Sequence, residues 1–133
     1  MSKEIISTSN APAPIGPYSQ AVLSGDILYI SGQIALIPGT TDLDNADISN
    51  ETNRVMKNLG AILEAASMNF GQVVKTTIYL SDMVLFTQVN EIYGKYFEEF
   101  INDASAGYPA RETVSVKGLP KNVNVEISMI AIK

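Results

Sequence analysis

Few residues of this chain can do chemistry, and Arg111 stands first among them. It lies in Tyr108-Pro109-Ala110-Arg111, just before the alternating run Thr113-Val114-Ser115-Val116, while the only other arginine, Arg54, falls in a helical pattern. A guanidinium is permanently charged and presents a rigid fork of donors that fits a carboxylate through two parallel hydrogen bonds. Where a proline-stiffened loop enters a strand, that fork has a fixed direction. Arg111 is thus a candidate for holding a small carboxylate, the alternative being a structural ion pair or a solvated edge charge. Its neighbour Glu112 neutralises it only if the two share a face, and extended backbone sends adjacent side chains to opposite faces.

Glu126 is the second candidate. It sits in the middle of an apolar, β-branched run from Val123 to Ile132. A carboxylate partly buried there without a partner has its pKa raised, the property wanted in a proton shuttle near neutral pH. Pairing with a lysine is the structural alternative. In Gly16-Pro17-Tyr18-Ser19-Gln20-Ala21, glycine gives the backbone freedom and proline fixes the next dihedral. The Tyr18 hydroxyl is either aimed at a ligand or buried as the anchor of its loop. The glycine of Ser31-Gly32-Gln33 either lets a ligand approach backbone N–H groups or marks a β-bulge. Asn90, in a helical pattern, reads as a residue that hydrogen-bonds a backbone group.

Composition narrows the chemistry. The chain has neither cysteine nor histidine. That removes Ser-His-Asp and Cys-His machinery, disulfides, and zinc sites built on thiolate or imidazole. Acid–base work must come from carboxylates, tyrosine, lysine, backbone groups or water. The missing cysteines leave the redox compartment open. A net charge of -5 and a pI near 4.6 argue against a nucleic-acid partner, because phosphate binding needs a concentrated positive surface. The seven lysines are scattered. No apolar stretch reaches membrane-spanning length. Met1-Ser2-Lys3-Glu4 opens neither a signal peptide nor an arginine-rich presequence, so cytoplasm is the expected location. With 133 residues, 46% hydrophobic and 17% charged, a single domain over residues 1–133 with an unstapled core is expected.

The elements that must position these residues follow from patterning. Residues 4–8 could form a short strand, and the proline-rich stretch from Asn10 to Pro17 an ordered loop. Tyr18–Leu23 and Asp26–Ile34 read as a hairpin around Ser24-Gly25. A turn-rich connection from Pro38 leads to a helix starting near Asp47 or Ser49, both competent N-caps. Its apolar positions Val55, Leu59, Ile62 and Ala66, with Met56 and Leu63, have helical spacing, and it should end by Asn69 to Gly71. Val73–Leu80 is rich in β-branched residues and reads as a strand. Ser81 or Asp82 caps a turn into a second helix whose apolar face is Val89, Ile92, Tyr93, Tyr96, Phe97 and Phe100. After the stretch from Asn102 to Gly107, Glu112–Lys117 and Val123–Ile132 are strand-like, joined by Leu119-Pro120-Lys121-Asn122.

The order β-β-β-α-β-α-β-β makes a two-layer α+β domain, because two helices cover only one face of such a sheet. A bare face should be polar in a monomer. Here Ile130 and Ile132 stand on one side of the last strand and Val125, Ile127 and Met129 on the other, and Ile27 and Tyr29 oppose Leu28 and Ile30. Both sides are apolar, which usually marks an interface. A homo-oligomer with packed sheet faces is predicted.

Taken in order, these motifs resemble the RidA/YjgF family, long labelled L-PSP endoribonucleases and known mainly as imine/enamine deaminases. The resemblance rests on Ala11-Pro12, Gly16 to Ala21, Ser31-Gly32-Gln33, Asn58-Leu59, Asp82-Met83, Phe86, Val89-Asn90, Tyr93, Tyr96-Phe97, Pro109-Ala110-Arg111, Leu119-Pro120 and Glu126-Ile127. It implies a chorismate-mutase-like α+β sandwich, with a mixed sheet and two helices on one face. It also implies a homotrimer with a central barrel and three clefts between subunits. The implied activity is hydrolysis of C=N bonds in 2-imino acids such as 2-iminobutanoate and 2-iminopropanoate, the latter derived from 2-aminoacrylate, to 2-keto acids and ammonia. On this resemblance Arg111 binds the substrate carboxylate, Glu126 activates water, and Tyr18 completes the catalytic set. Ser31, Gly32, Thr113 and Asn90 contact substrate, and neither metal nor cofactor is called for. A non-catalytic binder of 2-keto acids is the alternative, and a ribonuclease a third, disfavoured by the acidic charge and missing histidine. Three departures stand out. Thr113 occupies a position where many members carry cysteine, Glu112 replaces a small residue, and Pro38-Gly39-Thr40-Thr41 differs from the usual turn.

Overall fold

The computed structural model describes residues 2–101 and 107–133; most of the predicted stretch from Asn102 to Gly107 lies outside the described residues. Six strands, β1 (Lys3–Ile6), β2 (Ala21–Ser24), β3 (Ile27–Gln33), β4 (Val73–Leu80), β5 (Ala110–Ser115) and β6 (Val125–Ile132), form one sheet in the order β1-β2-β3-β6-β4-β5. The two long helices are α1 (Ile48–Ala65) and α2 (Phe86–Lys95). The α+β reading therefore holds, with β6 inserted between β3 and β4. Neighbouring strands are antiparallel except β4 and β5, which α2 joins as a parallel pair.

Burial explains the layers. Leu28 and Ile30 of β3, Ile78 and Leu80 of β4, and Val125, Ile127 and Met129 of β6 point to one face. There they pack with Val55, Met56, Leu59, Ile62 and Leu63 of α1 and with Val89, Tyr93 and Phe97 in and just beyond α2. Burying side chains of this size stabilises by about 1.5–3 kcal/mol each. Asp47 caps α1, accepting the Asn50 N–H at 2.8 Å.

Both helices end sooner than their periodicity suggests. Ser67 takes a positive φ of 60°, which stops α1 at Ala65, and Asn69 then caps a separate short 3-10 turn, Phe70–Gln72. The second apolar face is split between α2 and a 3-10 turn at Glu98–Phe100, so one stripe is carried by two pieces. Asp82 caps a 3-10 turn, Met83–Leu85, that feeds α2.

Among the described residues nothing covers the other face of the sheet. Ile5, Val22, Tyr29 and Ile130 are successive register partners across β1, β2, β3 and β6. Ile5 is 52% exposed, Tyr29 47% and Ile132 42%. Towards β4 and β5 the same face turns polar, where Lys75 meets Glu112 at 3.1 Å.

Candidate active site

Glu126 projects from the uncovered face of β6, opposite Tyr79 of β4. The ion pairs among the described residues are Arg54–Asp44 and Lys75–Glu112, so the lysine alternative for Glu126 is not realised. Its half-burial pushes its carboxyl above the usual carboxylate range. Beside it β3 carries one extra residue. Ile30 pairs with Met129 but Gln33 pairs with Ile127, which puts a bulge at Ser31-Gly32. Gly32 thus marks a bulge, and the Glu126 side chain lies across it, in space a Cβ would fill.

The start of β6 is fixed by a buried carboxylate. Glu51 of α1, fully buried, accepts the Asn124 N–H at 2.7 Å, the Asn124 side-chain amide at 3.1 Å and the Val125 N–H at 3.1 Å. This pins the backbone one residue before Glu126. The neighbouring loop is tied by Gln20, whose buried amide donates to the carbonyls of Thr8, Ala11 and Pro12 and whose carbonyl accepts the Thr8 N–H. Tyr18 is exposed rather than buried, and its hydroxyl accepts the Ile15 N–H at 3.3 Å, closing the loop on itself. The Ser31 hydroxyl donates to the Ser19 carbonyl at 2.6 Å, which leaves its lone pairs free to accept. Together Tyr18, Ser31, Gly32 and Glu126, with Ile34 and Leu36, line a cavity of about 390 Å³.

Arg111 belongs to a second cavity, of about 450 Å³, shared with Asn90, Tyr93, Gly94, Tyr108 and Pro109. The strand begins at Ala110, so Arg111 is inside β5, in register with Thr76 of β4. Glu112 points the other way. It takes a hydrogen bond from Thr77 and pairs with Lys75, and these two contacts hold its carboxyl below the usual range. Arg111 is half-buried, its guanidinium carbon 5.2 Å from the ring centre of Tyr93 and 5.6 Å from that of Phe86. No carboxylate among the described residues pairs with it. Asn90 faces this cavity, and the backbone hydrogen bond expected of it is not made among the described residues. Thr113, two residues along β5, keeps a buried hydroxyl with no hydrogen-bond partner among the described residues.

Within one chain the two candidates do not meet. Arg111 is level with Thr76, which is buried beneath α2, whereas Glu126 is level with Tyr79, three positions further along β4. An odd offset along a strand reverses the side-chain direction. Arg111 therefore lies on the helix-covered face and Glu126 on the open one. Tyr93 was legible as a helix-face position, and Phe86 only as one of the residues that carry the family resemblance. Their spacing of seven, two helical turns, was the available signal for a shared contact. Among the described residues no cluster of acidic side chains could hold a metal ion.

Comparison with known proteins gives the same framework. The endoribonuclease L-PSP family model matches residues 8–133. A RutC family protein of Pyrococcus horikoshii, PH0854, is 47% identical over 131 residues, covering 98% of each chain. The human 2-iminobutanoate/2-iminopropanoate deaminase is 44% identical over 131 residues, 98% of this chain and 90% of that protein. The crystal structure of Escherichia coli TdcF with bound serine superposes with a TM-score of 0.89 at 38% identity, covering 98% of both chains. The fold that carries Glu126 and Arg111 is thus shared with solved relatives, and the chain is a member of the endoribonuclease L-PSP family, the RidA/YjgF group.

Proposed function

We propose that this chain is a 2-imino acid deaminase, hydrolysing species such as 2-iminobutanoate and 2-iminopropanoate to 2-keto acids and ammonia. The observation that carries the reading is Arg111: a half-buried guanidinium in a cavity, stacked on aromatic rings, with no carboxylate partner among the described residues. The human relative, a 2-iminobutanoate/2-iminopropanoate deaminase, supports the reaction class.

Arg111 and Glu126 face opposite sides of the sheet, so a complete site takes Arg111 from one subunit and Glu126 from another. The apolar row Ile5, Val22, Tyr29 and Ile130 supports packing of open faces into a homotrimer with a central barrel. In that assembly Arg111 grips the substrate carboxylate with its fork. Glu126, its basicity increased by burial, takes a proton from water as the water oxygen bonds to the imine carbon. The C=N electron pair moves to nitrogen, which takes the proton that Glu126 drew from water and gives a tetrahedral aminoalcohol. Glu126, ionised again, then moves the hydroxyl proton to nitrogen, and the C–N bond breaks with loss of ammonia as C=O forms. The balance is imino acid plus water to keto acid plus ammonia. The electrophile is already reactive, so positioning and one acid–base group suffice. Ser31 and Thr113 offer acceptor and hydroxyl contacts, Gly32 makes room for Glu126, Asn90 and Tyr18 line the two halves, and the soluble partner is a small 2-imino or 2-keto acid.

Arg111→Ala should abolish hydrolysis of freshly generated 2-iminopropanoate without changing the oligomer or its melting temperature. Retained turnover refutes the assignment. A second reading, a non-catalytic binder of small carboxylates, is supported by the serine bound to TdcF. Binding of a 2-keto acid with no imine turnover by the wild-type protein would select it.

A further inference from the structure

The chain's two arginines are held by different physics. Arg54 pairs with Asp44, Nε to Oδ2, at 3.3 Å. Arg111 instead lies over the rings of Tyr93 and Phe86, at 5.2 and 5.6 Å from their centres. These rings are seven residues apart on α2, so both face β5 from one stripe of the helix. The Tyr93 hydroxyl donates to the Thr76 hydroxyl oxygen at 3.0 Å. Thr76 is fully buried and is the residue directly beside Arg111 on β4. The tether thus returns from the ring to the backbone neighbour of the cation that the ring supports.

A cation that must receive an anion needs to be fixed without being neutralised. A protein carboxylate would fix it and compete with the ligand. A ring face attracts the cation through its quadrupole and leaves the in-plane N–H fork unused. The hydrogen bond to Thr76 settles the tilt of the Tyr93 ring, which packing against Phe97, 4.8 Å between centres, also restrains. Burial raises the Tyr93 pKa, so its hydroxyl keeps the proton it donates.

We infer that Tyr93 is a positioning residue for Arg111: with Phe86 under the same guanidinium and Thr76 as its tether, it presents the fork edge-on to a ligand carboxylate. This rests on the reading of Arg111 as the carboxylate clamp.

The test exploits the count of arginines. The Nε–H spectrum of the protein contains two arginine signals, and the Arg54 signal is the internal control. Ring currents should displace the Arg111 signal upfield. Tyr93→Leu and Phe86→Leu should return it toward the unstacked position while Arg54 stays put, and Tyr93→Phe and Thr76→Val should shift it part of the way. Thr76→Ser, which restores the hydroxyl, should restore the wild-type signal. Titration with 2-oxobutanoate should weaken about tenfold in Tyr93→Leu, with KM for the imino acid rising in step and kcat nearly unchanged. An unmoved Arg111 signal in Tyr93→Leu overturns the proposal, as does a displaced signal with unchanged 2-oxobutanoate affinity. Tyr93→Phe keeps the ring and its packing, so it decides the matter where Tyr93→Leu does not fold. Wild-type affinity in Arg111→Ala would instead overturn the carboxylate clamp itself, a result separate from the ring-current readout.

Discussion

Gly32 and Glu126 occupy the same space by division of labour: a Cβ on Gly32 would stand 2.9 Å from Glu126 Cδ and 3.1 Å from its Cγ. The bulge in β3 and the missing side chain together make the slot in which the carboxylate lies. Gly32→Ala should therefore displace Glu126 rather than unfold the sheet. Misplacing a reacting group by about 1 Å costs on the order of 100-fold in rate. Steady-state kinetics should show that loss in kcat with a melting temperature close to wild type. Wild-type kcat in Gly32→Ala would refute the positional role of the slot.

Glu126 also sets the expected pH dependence. Its burial raises the carboxyl pKa in the folded protein. In its proposed role as the base it must be ionised, so kcat/KM should fall on the acid side with an apparent pKa above the ordinary carboxylate range. The folded state binds more protons than the unfolded chain between those two pKa values, so this group's contribution to stability declines as pH rises through that window. Glu126→Gln should lose the acid limb along with turnover and melt slightly higher than wild type at neutral pH. Below the unfolded carboxylate pKa the two proteins should melt alike. A melting difference that grows toward low pH would contradict the assignment.

The proposed sharing of the site between subunits predicts complementation. Arg111→Ala and Glu126→Gln should each be inactive alone. Unfolded together and refolded as a mixture, they should recover activity, because some sites then combine an intact arginine with an intact glutamate. Random assembly places both intact groups at about a quarter of the sites of a ring with heterologous contacts. Activity assays on the mixed and separately refolded proteins measure this directly, and no recovery in the mixture would argue that each chain works alone.

Glu51 should matter for stability more than its place on α1 suggests. It is fully buried and serves three N–H donors at the start of β6. Glu51→Ala leaves buried donors without acceptors, each costing about 1–3 kcal/mol. A total loss on the order of 3–5 kcal/mol is expected in urea unfolding. A loss below about 1 kcal/mol would mean that water replaces the carboxylate at no cost.

Much of this protein was legible in its residues. Alternation, β-branched runs and a turn signal located the strands and helical spacing the two helices, because burial of one face writes itself into local sequence. The same logic separated Arg111 from Glu112, since adjacent residues of a strand diverge whatever the sheet around them. Periodicity ran past the true helix ends because an apolar stripe records which residues are buried, not whether one helix carries them all. The positive φ at Ser67 is invisible to that signal.

What only the tertiary structure decided was adjacency between distant segments. The placement of β6 between β3 and β4 brings Glu126 beside Gly32, and the parallel pairing of β5 with β4 lays Arg111 under α2. Sequence supplied the cation and the acid; strand order assigned them to opposite faces. The reason is physical: side-chain alternation is local and survives in one dimension, whereas the order of strands is settled by which apolar surfaces bury one another, a property of the whole chain.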